Sequence, residues 1–389
     1  MYTGTTLFSQ IMDMLPWKSF HRIIARYEAD RGVRTLPCAE HFRVLAFAQL
    51  TYRESLRDIE AVLSAQSAKL YHMGIRGPVR RSTLADANER RDWRIFAEFA
   101  QRLIAQARRL YAEEDLGLDL SNTVHALDST TIDLCLSLFP WAPFRQTKAA
   151  VKMHTLLDLR GNIPSFIHVS DGKLHDVNAL DLLPPEPAAV YVMDRAYLDY
   201  GRLFALRESG AFFVTRAKSN ADLRRVYSAP NDRPRGIVCD QTVALSGFHS
   251  RKHYPLHLRR IRFKDPETKK TFIFLTNLFG PPPMTICELY KARWQIELFF
   301  KWIKQHLRIK KFYGNSVNAV KTQVWVAVSV YVLVAIVRKR LELEASLHTL
   351  LQIFSVTLFE KTPLDKGFPD IGHRPENDMN DKQLKLFEF

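Results

Sequence analysis

The chain has 389 residues, 47% of them hydrophobic and 25% charged, a composition that excludes a disordered or fibrous protein and suggests two or three domains. Lysine and arginine number 56 against 41 acids, and the resulting +15 favours a polyanionic partner, because each neutralised phosphate releases condensed counterions. Cys38, Cys135, Cys239 and Cys287 stand far apart without zinc-ligand spacing, so reduced structural thiols are expected. No basic segment followed by an apolar block opens the chain, so a cytoplasmic, nucleoid-associated protein without a secretory signal is expected.

The charge is uneven. Residues 1–110 carry +7, 111–215 carry −6, 216–270 carry +9, 271–311 carry +5, 312–359 carry +2 and the tail −2. Residues 1–110 read as a helical domain, with apolar residues three and four apart at Leu7, Ile11, Met14 and Leu15 and again at Leu56, Ile59, Val62 and Leu63, the latter run opened by Ser55 as cap. A Gly/Pro break at Gly74 to Pro78 precedes a basic helix over 80–91, entered through Ser82 or Thr83. This is either a helix-turn-helix, with Arg80, Arg81, Arg90 and Arg91 on DNA, or a solvated basic face.

From about residue 120 the period changes. Strands are expected at 123–131, 151–158 and 163–169, the last two joined by a turn at Arg160 to Asn162. A helical stretch at 176–183, a strand at 190–193, a helix at 200–209 and a strand at 212–215 follow. Asp128 and Asp194 each terminate a strand. Residues 216–282 read as β-rich, with strands at 257–263 and 271–276, and Gly280 to Pro283 punctuates before a long helix from Thr285. The uncharged run Thr322 to Val337 is shorter than the roughly 20 residues that cross a bilayer, which makes it a buried core segment and excludes a membrane partner from the expectations.

Tyr290, Arg293, Glu297 and Lys304 are spaced 3, 4 and 7 apart, which on one continuous α-helix places all four on one face. Glu297 alone could be an ion-pair partner of Arg293 or Lys301. With Asp128 and Asp194 at strand ends, it could instead complete an oxygen-donor set for divalent metal, the type of ligand Mg²⁺ requires. Two such ions about 4 Å apart would serve an in-line phosphoryl displacement.

Asp128 within Ala126 to Thr130, Asp194 followed by Arg195, Ala196 and Tyr197, and the Tyr-x2-Arg-x3-Glu-x6-Lys pattern at 290–304 resemble the DDE transposases of bacterial insertion sequences, the family-four branch. The resemblance covers about 120–310. It implies an α/β fold with a ribonuclease-H-like core (120–215 and 283–358), a β-rich insertion (216–282) and a helical N-terminal domain that binds DNA ends. It further implies Asp128, Asp194 and Glu297 as catalytic ligands of two Mg²⁺ ions, for which Mn²⁺ can substitute. Tyr290, Arg293 and Lys304 would sit on phosphates, and a homodimer would pair two transposon ends before joining them to target DNA. An aromatic residue holding a flipped base is also implied, with Trp141, Trp294 and Trp302 as candidates against ordinary core packing.

His175 and Asp176 are read as a helix start near the site, not as ligands, and His125 as a core residue. The tail from 361 is expected to be flexible. Its Gln383, Leu384, Leu386 and Phe387 resemble the peptide by which bacterial proteins bind the replicative sliding clamp. Two rival readings stay open, a metal-dependent nuclease that does not join DNA and a domesticated, non-catalytic DNA-binding protein.

Overall fold

The structure is a computed structural model that describes residues 4–145, 148–218, 221–306 and 312–364. Six helices come first: α1 (Leu7–Met12), α2 (Trp17–Arg26), α3 (Cys38–Leu50), α4 (Leu56–Ala65), α5 (Arg81–Arg90) and α6 (Trp93–Leu110). Strands β1 (Val124–Leu134), β2 (Pro143–Arg145), β3 (Lys148–Asp158), β4 (Ile163–Asp171) and β5 (Val190–Met193) follow. Next are α7 (Tyr200–Glu208), β6 (Phe212–Arg216), β7 (Leu223–Ala229), β8 (Ile237–Leu245), α8 (Phe248–His253), β9 (Leu258–Lys264) and β10 (Thr271–Thr276). Helices α9 (Pro283–Ala292), α10 (Trp294–Lys301), α11 (Val317–Arg340) and α12 (Leu347–Thr357) close the order.

The chain divides into two compact units, one from the described parts of 1–112, 131–151 and 299–373, the other from 113–130 and the described parts of 152–298. In the first, Ser55 caps α4 by accepting from the Asp58 N–H, as its sequence position suggests. The basic helix α5 begins one residue before Ser82 and has no side-chain cap. Helix α11 is long and apolar enough by length and composition to span a bilayer. Every residue from Thr322 to Val337 is nevertheless buried, with α11 packed on α3, α5, α6 and α12.

His41 on α3 is fully buried in this unit, its Nε2 2.8 Å from Asn88 Oδ1. Burial, and then the Arg91 charge, push this imidazole down to about 3. The unfolded chain, titrating near 6.5, therefore binds more protons than the folded one as pH falls from that value toward 3, and stability drains away over that window. The prediction is that thermal melts of the intact chain at pH 7 and pH 4.5 differ less for His41→Gln than for the unaltered protein.

The strands form one sheet in the order β2-β3-β1-β5-β6-β10-β9-β8-β7, with β4 paired to β3; all but β2 and parts of β1 and β3 belong to the second unit. Strands β1, β5 and β6 run parallel, while β10, β9, β8 and β7 continue antiparallel from β6. The run β4, β3, β1, β5, β6 has the strand order of a ribonuclease-H-like core. The region 216–282 does not form a separate sheet; β10 bonds directly to β6 and extends the core sheet through β7–β10. Strands β2, β7 and β8 and helix α8 have no individual counterpart among the elements expected from the sequence.

Candidate active site

Parallel pairing of β1 with β5 aligns Leu127 with Met193, which brings the next residues, Asp128 and Asp194, to neighbouring positions. Asp194 caps the short helical turn Arg195–Tyr197, accepting from the Ala196 N–H at 3.1 Å. Asp194 directly follows β5, whereas Asp128 lies inside β1, which runs on to Leu134, so the strand end expected at Asp128 is not found; Tyr191, Met193, Tyr197 and Phe213 are buried in one cluster with Leu127.

The third acid arrives on a helix whose position is fixed by a buried cation. Arg259 of β9 makes a two-pronged ion pair with Asp240 of β8, at 2.9 and 2.7 Å. Its remaining nitrogen donates to the carbonyls of Phe279 (3.2 Å) and Pro281 (2.7 Å). One guanidinium thus clamps the proline-rich turn from which α9 starts. Pro283 at the first helical position suits a fixed φ and a missing N–H.

Helix α9 packs on β5, β6 and β8, and Tyr290 lies 4.9 Å from the Phe274 ring. The Tyr290 hydroxyl reaches Asp194 Oδ2 at 3.4 Å. Arg293 occupies the junction between α9 and α10, so the one long helix expected from the spacing is two. From this junction its guanidinium donates to Asp128 Oδ2 at 2.6 Å and to Glu297 Oε1 at 2.8 Å. Tyr290, Arg293, Glu297, Asp128 and Asp194 are therefore brought together, with Arg293 on two carboxylates.

Burial pushes the Asp128 carboxyl above its ordinary range; Arg293 and the Ser129 N–H oppose the rise, and Asp194 and Asp176 add to it. Glu297 is raised first by burial, against the pull of Arg293, with Asp128 and Asp194 contributing. For Arg293 burial works against the charge, but Asp128, Tyr290, Glu297 and Asp194 outweigh it and hold the guanidinium protonated. Three acids against one guanidinium leave two negative charges uncompensated.

A second set of contacts adjoins Asp128. The Ser129 N–H donates to Asp128 Oδ1 at 2.8 Å, and the Ser129 hydroxyl donates to Asp176. Lys152 of β3 pairs with the same Asp176 at 2.8 Å and donates to the Leu174 carbonyl at 3.2 Å. Asp176 indeed opens a helical turn, Asp176–Leu182, as its sequence suggests. Ser129 and Lys152 had no signal of their own in the sequence, since a serine after a strand and a lysine in one are common. His125 is buried, 3.3 Å from Glu186.

The other candidates lie elsewhere. Lys304 falls in the π-helical turn Trp302–His306, among residues of the first unit. Arg80, Arg81 and Arg90 are exposed, and Arg80 lies 3.6 Å from Glu60. Arg91 departs from expectation: it is 8% exposed and donates to the Leu36 carbonyl, so it packs the first unit rather than facing DNA. Trp302 is buried edge-on against Tyr331, Trp141 donates to the Asn315 carbonyl at 2.7 Å, and Trp294 is half-buried. Gln383, Leu384, Leu386 and Phe387 lie outside the described residues.

This sheet order, with acids at adjacent positions of two parallel strands and a third on a packed helix, defines a ribonuclease-H-like α/β protein. The chain belongs to the DDE transposases of bacterial insertion sequences: the family model described as Transposase DDE domain matches residues 120–333. A model described as Domain of unknown function (DUF4372) matches residues 3–76. A protein named as transposase y4zB of Sinorhizobium fredii is 37% identical over 65% of this chain and 70% of its own length. One named as the transposase for insertion sequence element IS5377 of Geobacillus stearothermophilus is 31% identical over 54% of this chain and 55% of its own. Among solved structures, a piggyBac transposase synaptic complex with hairpin DNA matches with a TM-score of 0.44 and 10% identity, covering 89% of this chain and 74% of that one, a likeness too loose to carry argument.

The family implies a divalent metal. Among the described residues no three His, Cys, Asp or Glu side chains are already drawn together closely enough to hold an ion. The donor chemistry nonetheless fits, because Asp128, Asp194 and Glu297 offer only hard carboxylate oxygens whose mutual repulsion a cation would relieve. Removing the guanidinium should expose that repulsion. Arg293→Ala is expected to cost about 1–3 kcal/mol in urea denaturation, less than a fully buried pair because Asp128 and Glu297 keep 22% and 34% exposure. Added Mn²⁺ should recover part of the loss.

Proposed function

We propose that this chain is a cut-and-paste transposase that binds terminal inverted repeats, cleaves each transposon end and joins the freed 3′-OH to target DNA. The observation that carries this reading is the convergence of Asp128 and Asp194, on adjacent parallel strands, with Glu297 through the shared Arg293 contact. Asp128, Asp194 and Glu297 would hold Mg²⁺, which when bound activates the attacking oxygen and stabilises the leaving one.

The chain's own groups do the positioning. Tyr290 orients Asp194 by its hydroxyl, and Arg293 neutralises Asp128 and Glu297 until a divalent cation competes for the carboxylates or a phosphate for the guanidinium. Its Nε is buried without a hydrogen-bond partner among the described residues, a donor left for a phosphate oxygen. Lys304 and the exposed Arg80, Arg81 and Arg90 would contact backbone phosphates, and the basic strands β7–β10 carry further positive charge for DNA. Cleavage of the second strand by attack of the 3′-OH, giving a hairpin end, and a homodimer pairing two ends complete the reading.

Asp128→Asn, Asp194→Asn and Glu297→Gln should each lower cleavage of an end-containing duplex by at least about 10²-fold while gel-shift affinity for that duplex stays unchanged. Cleavage that survives any one of them contradicts the assignment. A precleaved 3′-OH end should be joined to plasmid DNA by the unaltered chain, whereas a nuclease would leave it unjoined. Lys304→Ala should reduce the slope of log affinity against log salt by about 1.

A further inference from the structure

The pair Asp176 and Lys152 lies outside the proposed ligand set yet is tied to it. Asp176 receives the Ser129 hydroxyl, and Ser129 in turn donates its N–H to Asp128, so β1, β3 and the turn at Asp176 are linked through one carboxylate. Asp176 is not a surface ornament, since its side chain is only 30% exposed and Lys152 only 15%. Fully buried His154 closes the far side, its Nδ1 3.9 Å from the same Asp176 oxygen and its Nε2 3.3 Å from the Ser170 hydroxyl.

We infer that Asp176 is a positioning residue: through Ser129 it holds the segment of β1 that carries Asp128, and as half of a neutralised pair with Lys152 it sets the charge that Asp128, Asp194 and Glu297 present to a divalent cation. The inference rests on the proposed reading of those three acids as cation ligands. The physical support is proximity. The Asp176 carboxylate accepts from the hydroxyl of Ser129, the residue that follows Asp128 and donates its N–H to it, which places the Asp176 charge beside the acids. Lys152 cancels that charge at 2.8 Å, so the pair as a whole is nearly silent and each half alone is not.

This arrangement separates electrostatic from structural roles. Asp176→Asn and Lys152→Met break the same ion pair, and a purely structural contribution would move both variants in one direction. A charge contribution moves them oppositely, because the first leaves a lysine unopposed near the acids and the second leaves an aspartate. With water-like screening, a dielectric of about 80, and roughly 8 Å between the charge and a divalent ion, one unit charge corresponds to roughly fivefold in affinity.

The test is Mn²⁺ alone titrated into the full chain and followed by electron paramagnetic resonance, with circular dichroism as the check on folding. Asp176→Asn should bind Mn²⁺ about fivefold more weakly and Lys152→Met about fivefold more tightly, and the double variant should return near the unaltered affinity although the ion pair is gone. Should Asp176→Asn not fold, the comparison of Lys152→Met with the double variant still decides. Shifts of both single variants in one direction, or no shift, with Asp128→Asn still abolishing tight Mn²⁺ binding, overturn the role of Asp176 and leave the ligand reading intact. Mn²⁺ binding by Asp128→Asn equal to that of the unaltered chain overturns both.

Discussion

Arg293 stands between Asp128 and Glu297, and the arrangement of the second unit's acids depends on that contact. Carboxylates drawn from a strand and from a helix 169 residues later would repel one another in a partly buried site, and a single planar fork satisfies both. The bridge requires that α9 and α10 meet at Arg293 and not before or after it. That junction is in turn set by the Arg259 clamp on the turn preceding α9, so two arginines, one fully structural and one facing the acids, determine where Glu297 sits.

Much of this was legible in the sequence, and the reasons differ by element. The core strands were legible as apolar runs bounded by turn residues, and although β1 continues past Asp128 to Leu134, its parallel pairing with β5 makes Asp128 and Asp194 neighbours. The resemblance at 290–304 then supplied the third acid. In the structure Glu297 is the i,i+4 ion-pair partner of Arg293, one of the two alternatives its position offered.

What was not legible depends on long-range or local backbone detail. The spacing argument for Lys304 assumed one α-helix, but the backbone turns at Arg293 and adopts π-helical geometry from Trp302, so 3.6-residue counting ends at Lys301. Arg91 carries the same charge as its exposed neighbour Arg90, and only the path of the chain around Leu36 shows that its guanidinium is used internally. The extension of the core sheet by β7–β10 rests on hydrogen bonds between β6 and β10, whose pairing partners lie about sixty residues apart. Periodicity within each strand carries no information about that partner.

The order of the acids along the chain has a consequence for biosynthesis. Asp128 and Asp194 can become neighbours as soon as β1 and β5 pair, a contact between segments 66 residues apart. Their counter-charge and the third acid come only after the whole of β7–β10 has been made. A chain still emerging from the ribosome at β10 therefore holds two like charges side by side with nothing to bridge them, and the closing contact is among the most non-local in the unit. Such contacts form late, because loop closure must be completed before they add stability. Completion of the acidic centre is thereby timed to the end of the fold, and an unfinished chain carries only part of it.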